Sequence, residues 1–461
     1  MAAQPSTRRG ATVWVDVEDL FFYFRSHPYP SGIQRVAFAI AQALVEREGT
    51  ERVRFVRRGP EGVAIETEWA EVSELMTRAR PRPPGPAPAG EQVGQGGVHR
   101  WTRTLPEHLR GPLFRAGLLQ LHAGRNWRQA AQALRRAKPQ PADAGVQVAG
   151  PAAQLQPGDR YLVLGAPWTV PGFTRFLSGL KHRHGISAHA LLHDLIPVRH
   201  PEWCTREASA LFQAWLDASL PLFDTLLAVS RHTGADVESY ASERGLALRG
   251  PVRTVPMGTG LPAAAPAAAQ PGGLPSPGSY VLFVSTLEPR KNHALLVRIW
   301  RRLEDEIRSG RRTAASVPTL VFAGRVGWLV SDLLQQLDNM RWLGGRVRLI
   351  KDPSDEELRA LYAGCLFTLF PSWFEGWGLP VTESLALGKP CLAADATALP
   401  EAGGACCRYF DPGSVPDAHR AVSVLLDGTD ALASWQAQVA REFRPVPWAE
   451  TAAAVLDGIA A

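Results

Sequence analysis

Phe370-Pro371-Ser372-Trp373-Phe374-Glu375-Gly376-Trp377-Gly378-Leu379-Pro380-Val381-Thr382-Glu383-Ser384-Leu385-Ala386-Leu387-Gly388-Lys389-Pro390 decides how the chain is read. An apolar strand end runs into a Gly/Trp-rich turn, and a helix follows that Gly388 and Pro390 stop. Turn glycines let backbone N–H groups approach a ligand closely, and a helix start favours negative charge. Glu375 before the turn and Glu383 on the helix are separated by seven residues. That spacing sets one acid at the turn and the other a turn or two along a ligand. Acids near a helix start more often act as caps, so the pair alone is weak evidence.

Outward from this stretch the chain alternates strand and helix, which indicates an α/β class with parallel sheets. The strand expected at 280–284 enters Ser285-Thr286-Leu287-Glu288-Pro289-Arg290-Lys291-Asn292-His293 and then a helix. Two adjacent cations at a helix start oppose the helix dipole, and a bound anion would explain them. Both are expected to be exposed. Residues 319–323 and 346–350 supply further strands, and Ser354-Asp355-Glu356-Glu357 is a capping box. Ser331 is expected to cap the helix before it.

In the first half, residues 13–17 form a short β-branched strand. Pro28-Tyr29-Pro30-Ser31-Gly32-Ile33-Gln34-Arg35 then opens an amphipathic helix capped near Ser31 or Gly32. A small-residue loop beside strand one is where doubly wound domains bind phosphate, although Ser-Gly is also an ordinary cap. No G-x-G-x-x-G is present. Strands are expected at 53–56, 161–164, 188–192 and 225–229. The strand 188–192 ends in His193-Asp194-Leu195-Ile196-Pro197, where His193 either caps the strand beside Asp194 or contacts a ligand. Ser230 is a helix cap.

These motifs, taken in order, resemble the retaining glycosyltransferases of family 4, whose fold is GT-B. The resemblance covers nearly the whole chain, is strongest at 285–404, and is absent at 61–150. It implies two facing Rossmann-like domains: residues 11–260 on the acceptor side, a linker at 261–279, and a nucleotide-sugar domain at 280–430. C-terminal helices at 431–461 would cross back to the first domain. It implies transfer of a sugar, mannose first, from a nucleoside diphosphate, GDP-mannose first, to a glycan or lipid-linked hydroxyl, with retention. His-Asp-Leu-Ile-Pro and Gly-Trp-Gly-Leu-Pro look like bacterial mannosyltransferases of polysaccharide assembly.

Residue by residue, the resemblance assigns Arg290 and Lys291 to the leaving diphosphate, with Gly32 approaching it from the first domain. Glu383 would hold the ribose. Glu375 and the N–H groups of Gly376, Trp377, Gly378 and Leu379 would hold the sugar, and His193 would orient it. Leu399-Pro400-Glu401-Ala402-Gly403-Gly404 resembles a loop over base and ribose, although Ala394 stands where the family often shows a polar residue. No cofactor and no metal are expected, since no Asp-x-Asp element is present. Two alternatives are a GT-B epimerase of nucleotide sugars, and a basic membrane- or nucleic-acid-binding protein with a degenerate cleft.

Composition is that of an ordinary globular protein: 461 residues, 45% hydrophobic and 20% charged. Cys204, Cys365, Cys391, Cys406 and Cys407 follow no metal spacing and suit a reducing compartment. No apolar run approaches the roughly 18–20 residues that span a bilayer. Arg8-Arg9 precedes an acidic segment rather than an apolar signal core. A cytoplasmic location follows as the expectation, with the inner membrane face as a docking place. The formal charge of +6 is local in origin. Residues 78–138 carry twelve Lys/Arg against two Asp/Glu. This basic Pro/Arg-rich insertion, placed near 78–150, is either a solvated loop or an anionic-membrane docking segment. Nucleic acid is not expected as a partner.

Overall fold

A computed structural model describes residues 11–27, 29–78, 150–260 and 272–460. The basic insertion near 78–150 and most of the expected linker at 261–279 lie outside the described residues.

The first sheet has seven strands in the order β3-β2-β1-β4-β5-β6-β7. They are β1 (Val13–Asp16), β2 (Val53–Arg58), β3 (Ala64–Thr67), β4 (Arg160–Val163), β5 (Ser187–Leu192), β6 (Thr225–Ala228) and β7 (Arg253–Thr254). All neighbours run parallel except β2 and β3, which form a hairpin in register from Phe55↔Thr67 to Arg58↔Ala64. β1, Val-Trp-Val-Asp, is buried at every position, as a central strand covered on both faces must be.

Helices cover this sheet: α1 (Glu18–Phe24), α2 (Gly32–Glu48), α3 (Trp69–Arg78), α4 (Phe173–His184), α5 (Arg206–Ser219) and α6 (Arg231–Arg244). α2 starts at a capping box, in which the Ser31 N–H donates to Gln34 Oε1 at 3.2 Å. Its apolar face buries Val36, Ala37, Ile40, Ala41 and Leu44 at helical spacing.

The second sheet has six parallel strands in the order β10-β9-β8-β11-β12-β13. They are β8 (Tyr280–Val284), β9 (Thr319–Gly324), β10 (Val347–Lys351), β11 (Thr368–Phe370), β12 (Cys391–Ala394) and β13 (Arg408–Phe410). α7 (His293–Arg308), α8 (Ser331–Asn339), α9 (Asp355–Gly364), α10 (Leu379–Ala386), α11 (Val415–Asp427) and α12 (Thr429–Glu442) flank it. Its core joins Leu296, Ile299, Trp300 and Leu303 of α7 to Phe322, Phe367, Leu392 and Trp435. The Ser354/Glu357 capping box opens α9. Ser331 does not cap α8: the N-cap is Val330, with no side-chain cap, because Ser331 is already the first helical residue.

The last helix, α13 (Trp448–Ala460), packs away from the sheet that precedes it. Ala452, Val455 and Ile459 are buried in the core of the first sheet, beside Val36 and Ile40 of α2. Burying side chains such as Val455 and Ile459 stabilises by about 1.5–3 kcal/mol each, so the helix ties the two halves together. Gly258 admits the Trp448 ring: a Cβ on that glycine would stand 2.3 Å from the indole.

Candidate active site

In an open α/β sheet a ligand binds outside the carboxyl ends of the strands, at the point where strand order reverses. In the second sheet that point lies between β8 and β11. The loop after β8 carries Glu288, Arg290 and Lys291, and the loop after β11 carries Glu375. Lys291 Nζ donates to Glu375 Oε1 at 2.5 Å, and Arg290 Nη1 stands 2.8 Å from Glu375 Oε2. Arg290 Nε pairs with Glu288 at 2.8 Å, and its Nη1 also donates to the Phe374 carbonyl at 2.9 Å. Thr397 closes the ring: its hydroxyl accepts the Glu375 N–H and donates to the Glu375 carbonyl.

Contrary to the sequence expectation, neither cation is exposed: Arg290 is half-buried. Lys291 is 8% exposed, and Glu375 is buried beside it. Along the sequence the two cations stand at a helix start with no favourable dipole beside them. Glu288, just before Arg290, supplies part of their counter-charge, and Glu375, 84 residues beyond Lys291, supplies the rest. Burial alone would raise the Glu375 carboxyl, but Arg290 and Lys291 outweigh it and hold it down at about 2. Burial and the neighbouring Arg290 lower Lys291, whereas Glu375, Glu288 and Asp194 outweigh burial and raise Arg290.

Glu383 lies on α10 and is 2% exposed. Arg35, from the first turn of α2 in the other domain, reaches its Oε1 at 3.0 Å and also donates to the Gly260 carbonyl at 3.3 Å. Tyr362 donates to Glu383 Oε2 at 3.2 Å. Sequence reasoning named Glu383 but neither partner. Arg35 stood in the quoted Gly32–Arg35 run, and nothing local in it signals a contact 348 residues away.

His193 is half-buried at the end of β5. Its Nε2 lies 2.8 Å from the Leu164 carbonyl, so that nitrogen carries the proton and Nδ1 is the acceptor. Burial drives its pKa down to about 4, the Leu164 hydrogen bond opposing, so the ring is neutral at pH 7. Asp194 does not pair with it; its carboxylate accepts from the Ile196 N–H at 3.1 Å.

The two domains meet at the quoted turn. A Cβ on Gly376 would sit 1.8 Å from the His193 carbonyl oxygen, so only glycine allows this approach. The Thr233 hydroxyl lies 3.3 Å from the Gly376 carbonyl and 3.4 Å from that of His193. Trp377 and Leu379 pack on the core of the first sheet, and the Trp377 indole N–H is buried with no partner among the described residues. Gly378 holds φ at 111° and N-caps α10, whose first residue is Leu379. Gly32 opens α2, and a Cβ there would touch nothing within 4 Å.

Glu401 has a place the sequence did not indicate. Its two oxygens accept the N–H groups of Arg231 and His232, each at 2.9 Å, so an acid of the second domain caps α6 of the first. Trp328 donates to the Trp203 carbonyl at 2.7 Å, a further contact across the cleft. Among the described residues no group of three or more His, Cys, Asp or Glu could hold a metal ion, and no helix is long and apolar enough to cross a membrane.

Two mostly parallel sheets flanked by helices, with their switch-point loops facing one another at the Gly376–His193 contact, place the chain in the GT-B class of fold. Residues 266–438 match the family described as Glycosyl transferases group 1. A serotype-specific mannosyltransferase of Escherichia coli is 28% identical over 253 residues, 52% of this chain and 29% of that one. O-antigen chain mannosyltransferase B of Escherichia coli is 35% identical over 136 residues, 30% of this chain and 34% of that one. The chain thus spans about a third of the length of these relatives. The structure of Anabaena HepE in complex with UDP and glucose superposes with a TM-score of 0.55 over 98% of this chain and 99% of that one, at 13% identity, and shows the shared fold.

Proposed function

We propose that this chain is a retaining glycosyltransferase of cell-surface polysaccharide assembly. It moves a hexose, mannose first, from a nucleoside diphosphate, GDP-mannose first, to a hydroxyl of a glycan or lipid-linked acceptor. The observation that carries the reading is the Arg290–Lys291–Glu375 cluster at the switch point of the second sheet, placed opposite His193. The matches to group 1 glycosyl transferases and to two mannosyltransferases support it.

In this reading Arg290 and Lys291 stabilise charge building on the leaving diphosphate, the largest kind of contribution in such sites. Glu375 fixes both cations while its neighbouring turn holds the sugar, and the orphan N–H of Trp377 suits a ligand oxygen. The open approach to Gly32 admits phosphate at the start of α2. Neutral His193 accepts a hydrogen bond from a sugar hydroxyl through Nδ1. Glu383 takes the ribose hydroxyls, with Arg35 and Tyr362 fixing its orientation. Because the two cations supply the charge that a metal would otherwise bring, transfer persists in EDTA. The expected docking of the basic insertion to anionic lipid falls outside the described residues and remains part of the proposal.

The test is incubation of the purified chain with GDP-mannose and an α-mannoside acceptor, with the anomeric configuration of the product read by NMR. A product that keeps the donor's α configuration supports the reading. Donor altered without acceptor consumed would point to an epimerase instead.

A further inference from the structure

The first sheet has its own switch point, between β1 and β4, and a carboxylate bridges it too. Asp19, three residues beyond β1, accepts the Ala166 N–H at 2.7 Å through Oδ2. Gly165 makes room for it, since a Cβ there would stand 2.0 Å from the same oxygen. In the second sheet two cations answer the bridging acid. In the first sheet they do not. Asp16 is paired with Arg58 at 3.4 Å and Glu18 with Arg57 at 3.1 Å, whereas Asp19 has no ion pair among the described residues.

The loop that Asp19 holds is also the loop that holds His193, through the Leu164 carbonyl. α1, which carries Asp19, reaches the second domain at Tyr23, whose hydroxyl lies 3.3 Å from Arg325 Nη2. Asp19 therefore sits on the first-domain side of the cleft, one short loop away from the histidine assigned to the transferred sugar. A crevice with two cations suits a diphosphate. One floored by an acid whose neighbouring arginine, Arg58, is already paired with Asp16 suits a group that donates a hydrogen bond.

We propose that Asp19 is the acceptor-binding carboxylate, taking a hydrogen bond from a hydroxyl of the incoming sugar and aligning it toward the anomeric carbon. This rests on the glycosyltransferase reading given above. Burial raises the Asp19 carboxyl to about 7; the Ala166 N–H and Arg58 oppose that shift, and Asp16 adds to it. The groups facing it are Asp16 on β1, Arg58 on β2, and Tyr161 on β4, which donates to Asp16 at 2.6 Å. Below its pKa the group is a neutral acid and a poorer acceptor, so acceptor use declines as pH falls through about 7.

The experiment measures kcat/KM for p-nitrophenyl α-mannoside with GDP-mannose saturating, and GDP-mannose affinity by calorimetry, for wild type and Asp19→Asn. The amide can still accept from Ala166 but does not ionise. The expected result is a loss of about 100-fold in acceptor kcat/KM with donor affinity within twofold, and disappearance of the limb near pH 7. Wild-type acceptor kcat/KM in the variant, or an equal loss of donor affinity, overturns the assignment. If Asp19→Asn does not fold, the wild-type profile decides. A limb near pH 7 in acceptor kcat/KM but not in donor affinity supports the assignment, and a flat profile overturns it. A wild type that binds no nucleotide sugar would instead refute the underlying glycosyltransferase reading.

Discussion

Lys291 Nζ lies 2.5 Å from Glu375 Oε1, and this contact joins the loop after β8 to the loop after β11 across the switch point of the second sheet. The pair is buried, so it is at once part of the proposed diphosphate site and part of the fold. Removing one partner from a buried pair leaves an uncompensated charge in a dry site.

Lys291→Ala should therefore fail twice. Transfer should fall by about 100-fold or more, as expected when a transition-state contact is lost. Stability should fall by about 3–5 kcal/mol, because Glu375 keeps Arg290 but loses its closest cation. Replacing both partners by apolar groups, Lys291→Met with Glu375→Leu, should restore much of the stability and none of the activity. Urea unfolding and a transfer assay on the three proteins check this. A Lys291→Ala protein as stable as wild type would contradict the structural half of the argument.

Glu375→Gln and Glu383→Gln should separate sugar from nucleotide. Glu383 faces Arg35 and Tyr362 rather than the cationic cluster, and in the proposed site it meets the ribose equally in ground and transition states. Its amide variant should bind free GDP about tenfold more weakly. Glu375→Gln leaves Arg290 and Lys291 without this counter-charge, so it should lose stability as Lys291→Ala does. GDP, whose phosphates replace that charge, should still bind, and the functional loss should fall mainly on kcat. Isothermal titration with GDP decides, and equal GDP affinity in wild type and Glu383→Gln would remove the ribose role.

Gly376→Ala tests the meeting of the two domains. A methyl group 1.8 Å from the His193 carbonyl cannot be accommodated without the domains moving apart. Nucleotide binding, which draws mainly on the second domain, should stay within a few-fold, whereas transfer should drop by about 100-fold because a misplacement near 1 Å costs that much. Small-angle scattering should show a larger radius of gyration for the variant. An unchanged radius together with full activity would mean that this contact is not needed for transfer.

How far the sequence revealed these features depended on whether a residue's partner was near it in the chain. β8 was legible because Tyr280–Val284 is one apolar run, and α9 because Ser354 and Glu357 cap it reciprocally within four residues. The motif residues Arg290, Lys291 and Glu375 were named together, yet their burial was not, since each is polar and the Glu375 that both cations share is distant in sequence, while Glu288, close to Arg290, gives no local sign of the pairing. β3, the antiparallel edge strand, went unread: Ala64–Thr67 is four residues long and follows a short Gly-bounded turn. α5 was missed because Arg206–Ser219 buries only Phe212, Trp215, Leu216 and Ser219 amid polar residues. Arg35–Glu383, Glu401 on α6, and Asp19 on Ala166 are single contacts between remote segments. No periodicity encodes contacts of that kind.

Acid stability offers a test in which three buried groups and the half-buried His193 act with opposite signs. Burial lowers His189 to about 4 and His293 to about 3, as it lowers His193 to about 4, each from an ordinary 6.5. For a depressed histidine, full stability is present above pH 6.5 and is lost as pH falls toward the folded value, because only the unfolded chain takes up the proton. Asp19 works the other way. Its pKa is raised from 3.8 to about 7, so the folded state binds its proton first and gains stability as pH falls from 7. Between pH 6.5 and 4.5 these three histidines take up protons in the unfolded chain only, and Asp19 takes one in the folded chain only; His419, also lowered by burial, adds to the first set, and Asp194, also raised by burial, opposes it. The net difference of two predicts that unfolding free energy drops by about 2.7 kcal/mol per pH unit in this window. Glu375, held at about 2, adds its own loss only below its ordinary 4.5. Asp19→Asn removes the opposing proton and should steepen the slope to about 4 kcal/mol per unit, while His189→Gln should flatten it to about 1.4. Urea titrations at half-unit pH steps measure all three slopes, and a wild-type stability that is level from pH 6.5 to 4.5 would show that these histidines are not buried and neutral in the folded chain.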